Sequence, residues 1–241
     1  VMPECVEVPY KEKEKMPRPL IVLVLLLLAP AALAAESREA IKLRDAADVL
    51  TRIMSIPEQQ IPPALLSDAQ GIAVIPGVIK AGFFVGGRFG RGVMSVRTEG
   101  GGFSAPVFIT LTAGSLGYQF GAQSTDVILV FKSPRSIEAI RRGKFTLGAD
   151  AAVAAGPVGR SAAAATDIEL KAEIYSYSRS RGLFAGVALE GAAIQVDIAA
   201  NNAFYGESVD TDALFKGQTG GTPEEAGKFS TLLGRYAPRG N

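Results

Sequence analysis

Between Gly71 and Arg97 the chain interleaves glycine with Phe, Val, Ile and Arg, and no other stretch restricts the fold as strongly. Gly82, Gly86, Gly87, Gly90 and Gly92 all fall inside it. Each glycine in a helix interior costs roughly 0.5–1 kcal/mol relative to alanine, whereas in strands glycine permits bends and close backbone contact. The stretch therefore reads as extended chain. Ala73-Val74-Ile75 is a short apolar strand ended by Pro76-Gly77, and Ala81 to Arg97 is a second extended run. Glu99 to Gly102 reads as a turn. Val107, Ile109, Leu111 and Ala113 then alternate with Phe108, Thr110 and Thr112 in strand fashion. Tyr118–Gln123 reads as another strand, and the unbroken apolar run Val127–Phe131 as a central one. Ile168–Arg179 alternates as well, and Leu183–Leu189 with Ala192–Ile198 reads as a hairpin across Glu190-Gly191.

Helices gather at the ends. Over residues 36–55, Leu43, Ala46, Ala47, Leu50, Ile53 and Met54 recur at helical spacing. Ser37 suits the N-cap, Glu39 the first turn, and Pro57 stops the run. Ile61 to Asp68 reads as a loop with a short helical turn. Ser133-Pro134 opens a further helix, and Asn201–Tyr205, Thr211–Phe215 and Pro223–Tyr236 read as short closing helices. The small-residue stretch from Phe145 to Ala165 carries no assignment. Many strands in succession with helices at the ends favour an α+β fold. The expected form is a mainly antiparallel, glycine-rich sheet or barrel-like domain with an N-terminal amphipathic helix and short flanking helices.

The beginning of the chain has a different character. From Met16, Arg18 precedes the apolar run Leu20–Leu28, which Pro30 and the small-x-small step Ala32-Leu33-Ala34 follow. Nine apolar residues fall short of the ~20 that span a bilayer core. This reads as a cleaved secretory signal, so residues 1–34 are upstream residues and signal and residues 35–241 are a single mature domain. The charges of residues 1–15 suit Met16 as the true start. The expected location is the periplasm or another exported compartment, including association with a membrane.

Composition then removes whole classes of chemistry. The sole cysteine, Cys5, lies upstream of the signal, and the chain holds no histidine and no tryptophan. Without Cys and His the mature domain has neither disulfides, nor thiolate metal sites, nor the commonest general base. No metal, cofactor or catalytic residue is assigned. With 25 basic against 24 acidic residues, the chain lacks the basic excess of a nucleic-acid binder. Ala113-Gly114-Ser115-Leu116-Gly117 resembles a nucleophile elbow without its first glycine or a histidine base. Gly87–Gly92 spells G-x-x-G-x-G, the reverse of a dinucleotide fingerprint. Neither Gly143-Lys144 nor Gly227-Lys228 has the surroundings of a Walker loop. The carboxylates Asp126, Asp150, Asp167, Glu190 and Asp197 are scattered.

The basic residues carry more. Lys80, Arg88, Arg91 and Arg97 punctuate the glycine-rich strands, and Arg179 and Arg181 follow Tyr175-Ser176-Tyr177-Ser178. Arginine grips phosphate bidentately. Residue types alone also fit a solvated strand face with a few surface ion pairs, which is the simpler reading.

Four ordered blocks resemble the SYLF family: GIAVIPGVIKAGFFVGGRFGRGVMSVR from Gly71, GSLGYQFGAQSTDVILVF to Phe131, FTLGADAAVAAGPVGR to Arg160, and YSYSRSRGLFAGVALEG to Gly191. Asn201–Gly206 resembles the family's closing motif, and Phe103 stands where a tryptophan is common. The resemblance implies phospholipid binding, in eukaryotic relatives coupled in some cases to actin. For this chain it implies an exported, non-enzymatic binder of anionic phospholipid headgroups. The candidate contacts are Lys80, Arg88, Arg91, Arg179 and Arg181. The 36–55 helix has mixed charge on its polar face, so packing on the β domain suits it better than lying on a membrane. Export would separate the chain from actin. The alternative is a structural or interaction module whose partners are envelope proteins.

Overall fold

Pro76-Gly77 does not end the first strand; it bends it. In the computed structural model β1 runs through both residues, Gly71–Gly82, and pairs with β2, Val85–Val96, and β4, Gln123–Phe131. Ile75 pairs with Val127 and Val78 with Thr125, so β1 takes three steps where β4 takes two. The surplus residue is a β-bulge, with Gly77 at φ 63°, in the left-handed region that glycine tolerates. Proline in an interior strand is confined to such a feature, because it lacks the N–H that a ladder needs. The Gly77 N–H is redirected to Asp126 Oδ1 at 3.0 Å.

The bulge exchanges the faces of β1. Before it, Ala73 and Ile75 point into one core and Ile72 and Val74 into the other. After it, the even-numbered Val78 joins Ala73 and Ile75, so Lys80 follows it onto that face. Two glycines of β2 make the room. A Cβ at Gly92 would lie 2.3 Å from the Val74 carbonyl oxygen and 2.6 Å from Ile75 Cα, and one at Gly90 2.7 Å from Val78 Cγ2.

The structure describes residues 37–57, 60–82, 85–116, 123–158, 171–180, 183–207, 209–218 and 221–239. The leader-like segment and the Tyr118–Ala122 part of an expected strand lie outside them. The remaining strands are β3 Val107–Leu116, β5 Phe145–Thr146, β6 Val153–Ala155, β7 Ile174–Ser180, β8 Leu183–Gly186 and β9 Ala193–Val196. Their order is β5-β9-β3-β2-β1-β4-β7-β6, with β8 beside β7, and all pairs except β6–β7 are antiparallel. The helices are α1 Arg38–Met54, α2 Pro63–Ser67, α3 Pro134–Arg141, α4 Ile198–Tyr205, α5 Thr211–Phe215 and α6 Glu224–Tyr236. The fold is α+β, as the pattern of strands and terminal helices implies.

One expected hairpin is not formed. Glu190-Gly191 is a turn, but β8 pairs with β7 while β9 crosses to β3 and β5 at the other side of the sheet. Alternation within each strand reports a buried face and leaves the partner open. The alternation in β7 also misleads, since Ile174 to Ser176 and Tyr177 are all buried. Both faces of this strand are covered.

Each face of the sheet has its own core. Ile72, Val74, Val93, Phe108, Ile128, Val130, Tyr175 and Tyr177 meet the apolar stripes of α1 and α6. Helix α1 buries Leu43, Ala46, Val49, Leu50 and Ile53 there, and Ser37 caps it by accepting from the Ala40 N–H at 3.1 Å. Its amphipathic stripe is thus used inside the domain. Arg97, beyond β2, clamps this end. It donates to the carbonyls of Ala69, Gly101, Leu66 and Ala237 at 2.7–3.1 Å and sits 4.6 Å from the Phe103 ring centroid. Burial, and then the charge of Arg239, lower its pKa from the usual arginine value.

The second core, around Ile75, Met94, Ile109, Leu129, Phe131 and Ile194, lies inside the curl of the sheet and is closed by α3 and α5. Gly92→Ala is expected to lower stability by about 1–3 kcal/mol, because the new methyl group meets backbone that cannot give way. Gly114→Ala, with nothing within 4 Å of the added Cβ, should stay within about 1 kcal/mol of wild type. Thermal melts of the two variants followed by circular dichroism check the contrast.

Candidate functional site

The face exchange in β1 places Lys80 directly opposite Arg88 on β2, as Cα partners in the antiparallel ladder. Both side chains line a cavity of about 240 Å³ inside the curl. Val78, Leu111 and Val127 come into it from β1, β3 and β4, and Gln123, Thr125, Ser178 and Ser180 from β4 and β7. That β3 and β7 share one cavity, with three strands between them in the sheet, shows how far the sheet curls. Val187 and Leu189, just after β8, close the remaining side. They are held there by the Val187 N–H donating to the Ser176 carbonyl at 3.1 Å and by the Ser176 hydroxyl donating to the Val187 carbonyl.

The cavity is sided. Leu111, Val127, Val78 and Leu189 are at most 3% exposed and form an apolar floor continuous with the inner core. Lys80 and Arg88 stand near the β1–β2 tip, with the Gln123 amide donating to Ser180 Oγ at 3.0 Å beside them. Like charges directly opposite on neighbouring strands repel, at a cost on the order of 0.2–1 kcal/mol. Among the described residues neither cation has a carboxylate within 4 Å. Two cations with no described carboxylate beside them, above an apolar floor, have the chemistry to hold an anionic group attached to an apolar one.

On the outer face at the same end, Ile79 and Phe89 are also cross-strand partners, 53% and 51% exposed. Leu183, at the start of β8, is 76% exposed. The described helices cover the outer face further along the strands.

The other candidate cations are engaged elsewhere. Arg91 faces outward, with both Nε and Nη2 2.9 Å from Asp197 Oδ2 and Nη2 3.9 Å from Glu39. Asp197 also caps α4, accepting from the Ala200 N–H at 3.0 Å. Arg91 therefore ties α1 and α4 to β2. Arg179 also faces outward, 3.7 Å from Asp126, the residue that holds the bulge. Arg181 lies outside the described residues. The structure thus gathers Lys80 and Arg88 and separates Arg91 and Arg179 from them.

The remaining motifs resolve into structure. The Gly87–Gly92 run lies within β2, with no helix following it. Ser115 lies in β3 opposite Gly86. Asp126 and Asp197 have the partners just given, and Asp150 accepts from the Thr146 N–H at 2.6 Å in a turn; Asp167 lies outside the described residues. No group of three or more metal-ligating side chains occurs among the described residues. Sequence reasoning missed Gln123, Ser180, Val187 and Leu189, whose convergence depends on the curl. The one available signal was Pro76-Gly77, read as a bulge.

A family described as Ysc84, Las17-binding protein actin regulator, matches residues 112–236. SH3 domain-containing YSC84-like protein 1 of Xenopus laevis is 38% identical over 180 residues, which are 74% of this chain and 53% of that protein. The chain belongs to the Ysc84/SYLF family. Protein YSC84 of Saccharomyces cerevisiae is 35% identical over 192 residues, 78% of this chain and 41% of its own length. The human SH3 domain-containing YSC84-like protein 1 is 34% identical over 200 residues, 82% of this chain and 56% of that protein. The chain spans about half the length of these relatives. Their matches cover most of the region that forms this SYLF domain, cavity strands included.

The two groups of cations should behave differently on mutation. Arg91→Ala removes the ion pair with Asp197 and is expected to cost about 1 kcal/mol of stability. Arg88→Ala removes a like-charge contact and should stay within about 0.5 kcal/mol of wild type. Urea denaturation of both variants measures the difference.

Proposed function

We propose that this SYLF domain is a non-enzymatic binder of anionic phospholipid that presents the tip of its curled sheet to a membrane surface. The juxtaposition of Lys80 and Arg88, unpaired by any described carboxylate, over an apolar floor carries this reading. Ile79, Phe89 and Leu183 stand exposed around the same tip. Aromatic and aliphatic side chains entering an interface, with cations at headgroup level, form a recurrent peripheral membrane contact. Binding would use the tip rather than α1, because the stripe of α1 is buried against the sheet. No helix among the described residues is long and apolar enough to cross a membrane.

Export is part of the same proposal. It rests on the Leu20–Leu28 run followed by Ala32-Leu33-Ala34. In an exported compartment the partner is an ordinary envelope phospholipid, and actin is out of reach.

A protein-binding reading has one observation in its favour. The matched family is described as a Las17-binding actin regulator, and the names of the Xenopus laevis and human relatives include an SH3 domain. In this chain such a role would fall on the exposed Ile79–Phe89 pair.

Vesicle flotation separates the two. The chain is expected to float with vesicles containing phosphatidylglycerol at low salt, to float less with phosphatidylcholine alone, and to be released as salt rises. Lys80→Ala combined with Arg88→Ala should reduce flotation about tenfold or more, since each charge-assisted hydrogen bond contributes roughly 1.5–3 kcal/mol. An absence of flotation on all vesicles at low salt would overturn lipid binding and leave the protein-binding reading.

A further inference from the structure

We infer that the cavity inside the curl takes a single apolar chain carrying one anionic head: a fatty acid or another monoacyl anion, tail inward. The inference rests on the lipid reading of the same site and adds a distinct claim, that a monomeric amphiphile enters the protein rather than only touching its tip.

The cavity's size sets the first limit. About 240 Å³ is below the ~300–1,000 Å³ usual for drug-sized ligands. At a water's share of roughly 30 Å³ it holds about eight water-sized groups. One short alkyl segment fits; the two chains of a diacyl lipid do not. The polarity gradient sets the second. The floor of Leu111, Val127, Val78 and Leu189 is at most 3% exposed, so nothing there satisfies a polar group brought down to it. The two cations stand at the outer end of the same cavity, as cross-strand partners without a described carboxylate. A head held by Lys80 and Arg88 therefore directs its tail along the strands toward the inner core.

The charge requirement sets the third limit. A neutral alkane or alcohol would fill the floor and leave the cation pair uncompensated. A bare phosphate would satisfy the cations without entering the apolar end of the cavity. Only a molecule with both parts uses the whole site.

Isothermal titration calorimetry of the full chain at low salt tests this with decanoate, decanol and inorganic phosphate. Decanoate is expected to bind one to one, with decanol and phosphate each weaker by about tenfold or more. Lys80→Ala with Arg88→Ala should reduce decanoate to the level of decanol. Val187→Phe, which projects a ring into the cavity from a half-buried position, should abolish decanoate binding. Its melting temperature verifies that it folds, and Ser178→Phe provides a second block from β7. Phosphate binding as tightly as decanoate would overturn the tail pocket, and decanol binding equally would overturn the role of the cations. Flotation without decanoate binding would sink this inference alone; loss of both would remove the lipid reading with it.

Discussion

A single surplus residue in β1 decides what the inner face of this sheet can be. Without the bulge at Pro76-Gly77, Ile79 would point into the curl and Lys80 to the outside, since side chains alternate strictly along a strand. With it, Lys80 turns inward to meet Arg88, and Ile79 turns outward to meet Phe89. The bulge needs three supports: a left-handed glycine at 77, the Asp126 carboxylate on its N–H, and the bare backbone of Gly90 and Gly92 against which Val74, Ile75 and Val78 lie. Arg179 in turn pairs with Asp126. A residue that looks like a lipid contact in sequence is therefore, through one intermediate, part of what aims the cavity.

The same logic explains why the cations divide as they do. A strand with two buried faces has no solvent side along most of its length, so a charged residue there must be paired. Arg91 lies where α1 and α4 approach β2, and it has Asp197 and Glu39. Arg97 lies where α2, α6 and the β2–β3 turn converge, and it finds carbonyl oxygens and the face of Phe103. Lys80 and Arg88 lie towards the far end of the ladder, and no described carboxylate pairs with them. Asn201 shows the principle with an uncharged group. Fully buried, it accepts from the Phe108 N–H at 2.9 Å and donates to the Phe108 carbonyl at 3.0 Å, standing in for a strand where β9 has ended.

Much of the fold was legible because it is local. Ser37 and Ser133 cap the helices that they precede, and the apolar spacing of α1 identifies most of the stripe that it buries. Val127–Phe131 reads as a central strand and lies in one, between β1 and β7. What could not be read depends on contacts distant in the chain. The Glu190-Gly191 turn is visible, yet the separation of its flanking strands is decided by β3 and β7. The cavity draws on residues from position 78 to position 189 and exists only once the sheet has curled. Lys80 and Arg88 were legible as residue types, but their meeting required the bulge, and Pro-Gly is more often a strand's end than its bend.

The cavity also carries a cost that no described carboxylate relieves. Two cations facing one another across a ladder weaken it, and the partial exposure of both side chains keeps that cost small. Moving the pair a few residues down the strands would bury it among Leu111, Val127 and Val78, where two like charges could not remain ionised together. Moving it outward would leave the apolar floor without a charged rim. The position above the floor is where the pair is both tolerable and useful. An anion bound between the two cations would stabilise the fold, because it would remove their repulsion.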